Sequence, residues 1–209
     1  MNADTEIFFV TGKAGNLECA LDLPKRKPVG IALLAHPHPL YGGTMNNKVV
    51  QMMARTFVGL GYLSVRMNFR GVGRSEGTHD FGNGETDDMA CLAEFVQKKY
   101  PGLPVMLGGF SFGTYVQSRL QQQMASGGNP PGRMVFVSTT AGKWAVEKVP
   151  ENTLLIHGEM DEVVPLSDVF EWARPQDLSV VVVTGADHLF NHKLHHIRNI
   201  ITAVFQHQQ

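Results

Sequence analysis

Two stretches of the chain, GVGRSEG at residues 71–77 and GFSFG at residues 109–113, carry Gly-x-Ser-x-Gly. That spacing sets a serine on a sharp turn with its hydroxyl presented for attack. A serine hydroxyl is a poor nucleophile until a base takes its proton, and the base needs an acid to orient it. Among nine histidines, His188 lies in GADHLF, directly after the last apolar run. That is the carboxyl edge of a sheet, where open α/β folds place ligands. Asp161, in IHGEMDEVVP, falls between Ser111 and His188 and also comes after an apolar run. The chain order is then Ser, Asp, His. Glu159 and Asp187 are substitutes for the acid, although neighbours such as Asp187 and His188 in an extended segment point apart.

A nucleophile turn must leave a buried strand and hand the chain to a helix, whose first N–H groups and positive dipole face developing oxyanion charge. Ser111 meets both conditions: PVMLGG precedes it as an apolar strand and TYVQSRLQQQM continues with helical character. Ser75 meets the first alone, because the THDFGNG after it is polar and glycine-rich. Its reading is a turn after a strand, with Arg70 or Arg74 in an ion pair. An oxyanion hole needs two backbone donors. The Phe112 amide is the first. The second belongs to the loop HPHPLYGGTMNN, where Pro37 and Pro39 have no N–H, which leaves His38 and Leu40.

The elements that must hold these residues emerge from periodicity. Segments Glu6–Val10 and Leu17–Leu23 flank a turn and read as an edge hairpin. VGIALLA at 29–35 is continuously apolar, as suits a strand covered on both faces. Strands are predicted at Tyr62–Met67, Pro104–Gly108, Met134–Ser138, Thr153–His157 and Ser179–Val183. Helices are predicted at Asn46–Gly59, Glu85–Lys99, Gly113–Met124 and Leu189–Gln206. Such alternation predicts one α/β domain over residues 1–209: a doubly wound, mostly parallel sheet with an N-terminal hairpin and helices on both faces. Only 14 residues, Thr139 to Asn152, separate two of the strands. That leaves no room for a cap domain and predicts an open site, with Tyr41, Trp144 and Phe190, beside Leu40, at its mouth.

Composition excludes several classes. The 209 residues carry 18 Lys+Arg against 19 Asp+Glu, a formal charge of −1, so nothing steers the chain toward nucleic acid or an anionic membrane. No apolar run approaches the ~18 residues of a membrane span. The N-terminal MNADTEIFFVTGKAG has no signal-peptide pattern, and Cys19 and Cys91 form no CxxC. A cytoplasmic protein is expected, and nothing in the sequence opposes a homodimer. The His36-x-His38 pair and the i, i+4 spacings of His188, His192 and His196 have metal-ligand intervals but lack the accompanying ligands. No metal or cofactor is called for, and the last three histidines read as a solvated helix face.

GFSFG, IHGEMDEVVP and GADHLF, in that order, resemble the α/β-hydrolase superfamily. With HPHPLYGGTMNNKVV and RMNFRGVGRSEG added, the chain resembles small bacterial hydrolases related to dienelactone hydrolases and serine esterases, over roughly residues 30–192. The resemblance implies Ser111 as nucleophile, Asp161 as acid and His188 as base. Dienelactone hydrolases proper use a cysteine nucleophile, so their substrate is not carried over. The expected activity is hydrolysis of small or short-chain carboxylic esters through an acyl-enzyme, with a histidine base predicting a rate that rises between about pH 6 and 8. A thioesterase or small-peptide hydrolase with the same residues is the alternative, and a non-catalytic binding module on the same fold the more distant one.

Overall fold

The computed structural model describes residues 5–206; residues 1–4 of the segment read for a leader lie outside them, as do residues 207–209. Strands β1 (Glu6–Gly12) and β2 (Gly15–Asp22) form the expected hairpin at one edge, paired antiparallel. β2 also runs antiparallel to β4 (Tyr62–Met67). The remaining strands, β3 (Gly30–Ala35), β5 (Val105–Phe110), β6 (Arg133–Val137), β7 (Leu154–Gly158) and β8 (Val180–Val183), continue the sheet in parallel. The order is β1-β2-β4-β3-β5-β6-β7-β8. β3 and β5 lie at its centre, and the strand order reverses beside them, which is where α/β sheets open a crevice for ligands.

Both faces are covered, for the reason their apolar runs suggest. Along β3, Ile31 and Leu33 enter one core with Met89 and Leu92 of α2 (Asn83–Lys99) and Val116 and Leu120 of α3 (Phe112–Ser126). Ala32 and Leu34, one residue out of phase, enter the other with Val50 and Met53 of α1 (Lys48–Gly59) and Ile197 and Ile201 of α5 (Leu194–Gln206). Successive side chains of a strand point to opposite faces, so a strand buried on both must be apolar throughout.

Two elements differ from expectation. A short helix, α4 (Leu166–Ala173), comes after β7 and packs Ala173 into the α2/α3 core. The last helix starts at Leu194 rather than Leu189, because Phe190 (φ 52°) and His192 (φ 60°) adopt left-handed backbone that no α-helix contains. His188 and His192 therefore do not share a helix face. Among the described residues, no helix is long and apolar enough to cross a membrane.

Candidate active site

β5 ends at Phe110, and Ser111 stands between it and the first turn of α3 with φ 53° and ψ −125°. Such a conformation costs a non-glycine residue on the order of 1–3 kcal/mol and persists where the surroundings enforce it. Here the Ser111 amide donates to the Val137 carbonyl, and its own carbonyl accepts from the Thr114 amide and hydroxyl. The flanking glycines are required by close approach. A Cβ on Gly109 would lie 2.7 Å from the Gly113 carbonyl carbon, and one on Gly113 would lie 2.4 Å from the Ala35 carbonyl oxygen. The turn therefore brings the end of β3 against the start of α3.

His188 and Asp161 come from the loops after β8 and β7. Those loops are fastened together: the Met160 amide donates to the Ala186 carbonyl, and a Cβ on Gly158 would sit 2.4 Å from that same oxygen. His188 Nδ1 lies 2.8 Å from Asp161 Oδ2, and its Nε2 lies 2.9 Å from Ser111 Oγ. An ionised carboxylate only accepts, so Nδ1 carries the proton and Nε2 is left to accept from the serine hydroxyl. The second oxygen, Oδ1, accepts from the Val163 and Val164 amides at 3.0 and 2.8 Å. Burial pushes the Asp161 carboxyl up, but the His188 and Val164 hydrogen bonds outweigh it and hold the group below the ordinary carboxylate range.

A fourth side chain joins this set. His157, at the end of β7, is fully buried, with Nε2 2.9 Å from the Val164 carbonyl and 3.4 Å from Asp161 Oδ2. Both neighbours are acceptors, so Nε2 is protonated. Burial lowers the His157 pKa, against the opposing pull of the Val164 carbonyl and Asp161, and keeps the ring neutral. The sequence shows this histidine as the last residue of a predicted strand. The sole signal for its role is the i, i+4 interval to Asp161.

The loop from His36 to Asn47 closes the opposite side. His36 is buried, donates from Nδ1 to the Pro37 carbonyl at 2.6 Å and accepts the Phe69 amide at Nε2 at 2.9 Å. Asn68 accepts the Met45 amide, and buried Arg66, paired to Asp22, reaches the Met45 carbonyl. Apart from the His36–Pro37 bond, these supports are not legible in the sequence because each joins residues at least 21 positions apart.

Six of the expected site residues, Ser111, His188, Phe112, His38, Tyr41 and Trp144, line one open cleft of about 1010 Å³. Asp161 lies just behind His188. Two expectations are corrected. Leu40 projects into solvent and its amide donates to His38 Nδ1 at 3.2 Å, capping the 3-10 turn Pro39–Tyr41, so that N–H is not free for an oxyanion. Phe190 is fully buried in the α1/α5 core, because its left-handed backbone turns the ring inward, and it does not line the cleft. Ser75 is the structural turn expected: its hydroxyl donates to the Asn68 carbonyl and accepts the Glu18 amide, while Arg70 pairs with Asp88 and Arg74 with Glu18.

A family model described as serine aminopeptidase, S33 matches residues 39–141. A serine hydrolase without a lid from Xanthomonas campestris superposes with a TM-score of 0.91 at 33% identity, over 99% of this chain and 96% of that one. A serine hydrolase homologue from Coxiella burnetii gives 0.85 at 32% identity, over 98% and 97%. The chain belongs to the α/β-hydrolase superfamily. An uncharacterised protein of Rickettsia prowazekii is 30% identical over 204 residues, covering 90% of this chain and 83% of its own length. As in the Xanthomonas hydrolase described as lidless, no cap is inserted here: β6 and β7 are joined by turns and irregular chain, with no helix or strand between them.

Proposed function

We propose that this α/β serine hydrolase cleaves carboxylic esters, with Ser111 as nucleophile, His188 as base and Asp161 as the orienting acid, within a single domain. The observation that carries the reading is the unbroken chain of contacts from Ser111 Oγ through His188 to Asp161, at 2.9 and 2.8 Å, opening on a solvent-accessible cleft. Ser111 attacks the ester carbonyl as His188 Nε2 takes its proton. Asp161 holds the ring in the required tautomer and stabilises the imidazolium. The alcohol leaves with the proton from His188. Water, deprotonated by the same nitrogen, then releases the acid from the acyl-enzyme.

The oxyanion would be held by two backbone amides. Phe112 opens α3, where an N–H has no intrahelical acceptor. His38 comes after a peptide whose carbonyl is gripped by the His36 ring. In a trans peptide C=O and N–H point oppositely, so fixing the Pro37 carbonyl aims the His38 amide away from His36. Charge stabilisation of this kind is worth about 2.7–4 kcal/mol per donor.

The S33 description favours a second reading, cleavage of short peptide amides, and the Glu162 and Asp187 carboxylates lining the cleft would suit a substrate amino group. Matched p-nitrophenyl acetate, thioester and aminoacyl-anilide substrates separate the two, after a fluorophosphonate probe has shown whether Ser111 is labelled. Ester turnover dominant by at least ten-fold supports esterase action. Anilide turnover of equal rate transfers the assignment to the peptidase reading, and an unlabelled Ser111 removes both.

A further inference from the structure

The substrate's two halves can be assigned to the cleft's two sides, given the ester reading above. The leaving oxygen must receive its proton from His188 Nε2, so the alcohol half lies over His188, and the acyl half lies across Ser111 from it. The cleft lining divides along the same line. On the His188 side stand Met160, next to Asp161, then Val163, whose amide holds Asp161, and Leu189, next to His188. All three are large aliphatic side chains left exposed. Across Ser111 the wall is aromatic. The His38 ring lies 4.9 Å from Tyr41, 4.8 Å from Phe112 and 5.6 Å from Trp144, and Phe112 lies 4.9 Å from Trp144.

Trp144 is backed by Tyr115 at 5.1 Å, whereas Tyr41, Met160, Val163 and Leu189 stay exposed. Tyr41 is 87% exposed, although it lines the cleft. Exposed apolar side chains scattered singly are ordinary, whereas a set converging on one reactive hydroxyl marks a binding surface. Flat aromatic side chains favour a planar partner at ring-to-ring distances of about 4.5–7 Å. Flexible Met160 and branched Val163 and Leu189 favour an aliphatic chain. Charges on the His188 side, Glu162 and Asp187, are both negative and disfavour an anionic alcohol.

We infer that the substrates are esters joining a short, ring-bearing acyl group to an aliphatic, non-anionic alcohol, with Tyr41 and Trp144 reading the acid and Met160, Val163 and Leu189 reading the alcohol. A fully buried methylene is worth about four-fold in kcat/KM, so a half-open wall should give about two-fold. Hexyl esters should then exceed methyl esters of one acid by roughly ten-fold or more, accumulated over five methylenes.

The test is a crossed matrix on the full-length protein: methyl and hexyl esters of propanoic and 3-phenylpropanoic acid, with kcat/KM for wild type, Leu189→Ser and Tyr41→Ser. Both side chains project into solvent, so both variants should fold, and circular dichroism checks it. Leu189→Ser should lower the hexyl-to-methyl ratio by about three-fold or more, while the phenylpropanoyl-to-propanoyl ratio holds. Tyr41→Ser should do the reverse. Ratios that move together in either variant, or a wild type indifferent to both substitutions, overturn the inference while leaving esterase action intact. A wild type that hydrolyses none of the four esters and takes no fluorophosphonate label overturns both.

Discussion

Ser75 and Ser111 share the pattern Gly-x-Ser-x-Gly and are both 7% exposed, yet their surroundings have almost nothing in common. At Ser111 the glycines are present for space: Gly109 and Gly113 have ordinary backbone angles, and an added Cβ would strike backbone. At Ser75 they are present for handedness, with Gly73 at φ 59° and Gly77 at φ 86°. The serines differ in the converse way, since it is Ser111 that bears the left-handed strain. Ser75 Oγ is committed to two backbone groups, whereas Ser111 Oγ faces an imidazole at the floor of a cleft. A four-interval motif specifies a tight turn, and the element on the far side of that turn decides whether the hydroxyl is spent on structure or available for chemistry.

The largest effect expected from this contrast is on turnover. Ser111→Ala should lower kcat for p-nitrophenyl acetate by about 10⁴–10⁶-fold. Ser75→Ala should leave kcat within about two-fold, because an independent structural site couples weakly to the chemistry. Equal losses from the two substitutions, measured on folded protein, would erase the distinction.

The region behind Ser111 offers a smaller step. His157 shares Asp161 Oδ2 with His188 and buttresses the Val164 turn whose amide holds Oδ1. Replacement by Phe keeps a ring but removes the donor, leaving Oδ2 to His188 alone and the Val164 carbonyl without its partner. Misplacement by about 1 Å can cost on the order of 10²-fold, so a loss of about 10- to 100-fold in kcat with KM nearly constant is expected. Gln, which restores an N–H donor, should recover part of it. A His157→Phe variant that loses stability but keeps kcat would assign the residue to packing alone.

Most of the sheet was legible in the sequence because continuous apolar runs have few other uses in a chain of this size: Tyr62–Met67 agrees residue for residue, and VGIALLA lies at the sheet centre. Ser111, Asp161 and His188 were legible for a related reason, each coming one to five residues after such a run. The features that stayed hidden were non-periodic. α4 has only eight residues, too few to display a repeat, and the turn before α5 depends on two non-glycine residues with positive φ that no sequence rule flags. Phe190 looked like a rim residue because it is aromatic and near His188, and only its backbone sends it to the core.

Acid pH should act on the reactive region through its buried groups. Burial drives the His36 pKa down to about 3, opposed by its bond to the Pro37 carbonyl and reinforced by nearby His38. An unfolded histidine takes up a proton near pH 6.5. The unfolded chain therefore binds more protons between about pH 6.5 and 3, and stability falls as pH falls across that window. The neutral His157 adds to the loss in the same direction. Asp161, held below the usual carboxylate range, stabilises the fold above about pH 4 and loses that contribution as pH falls through its folded value. The urea midpoint should thus drop between pH 7.5 and 5, less steeply in His36→Asn than in wild type. Parallel slopes would show that His36 is not the source.

The smallest effect returns to Ser75. Removing its hydroxyl strands the Glu18 amide, whose donor is then buried without an acceptor, and leaves the Asn68 carbonyl without that bond. An unsatisfied buried backbone group costs about 1–3 kcal/mol. Glu18 also receives the Asn68 side chain and the Arg74 amide and guanidinium, so the turn keeps three other ties and should not unfold locally. Ser75→Ala should therefore lower the urea midpoint by an amount equivalent to about 1–2 kcal/mol, with unchanged m and unchanged turnover. Ser75→Cys, whose thiol is a weaker donor and acceptor, should fall between. The Asn68 side chain also anchors Met45 in the loop that carries His38. If Ser75→Ala raised KM or lowered kcat beyond about two-fold, the turn would be acting on the cleft through Asn68, and the division between a structural and a reactive serine would become one of distance rather than kind.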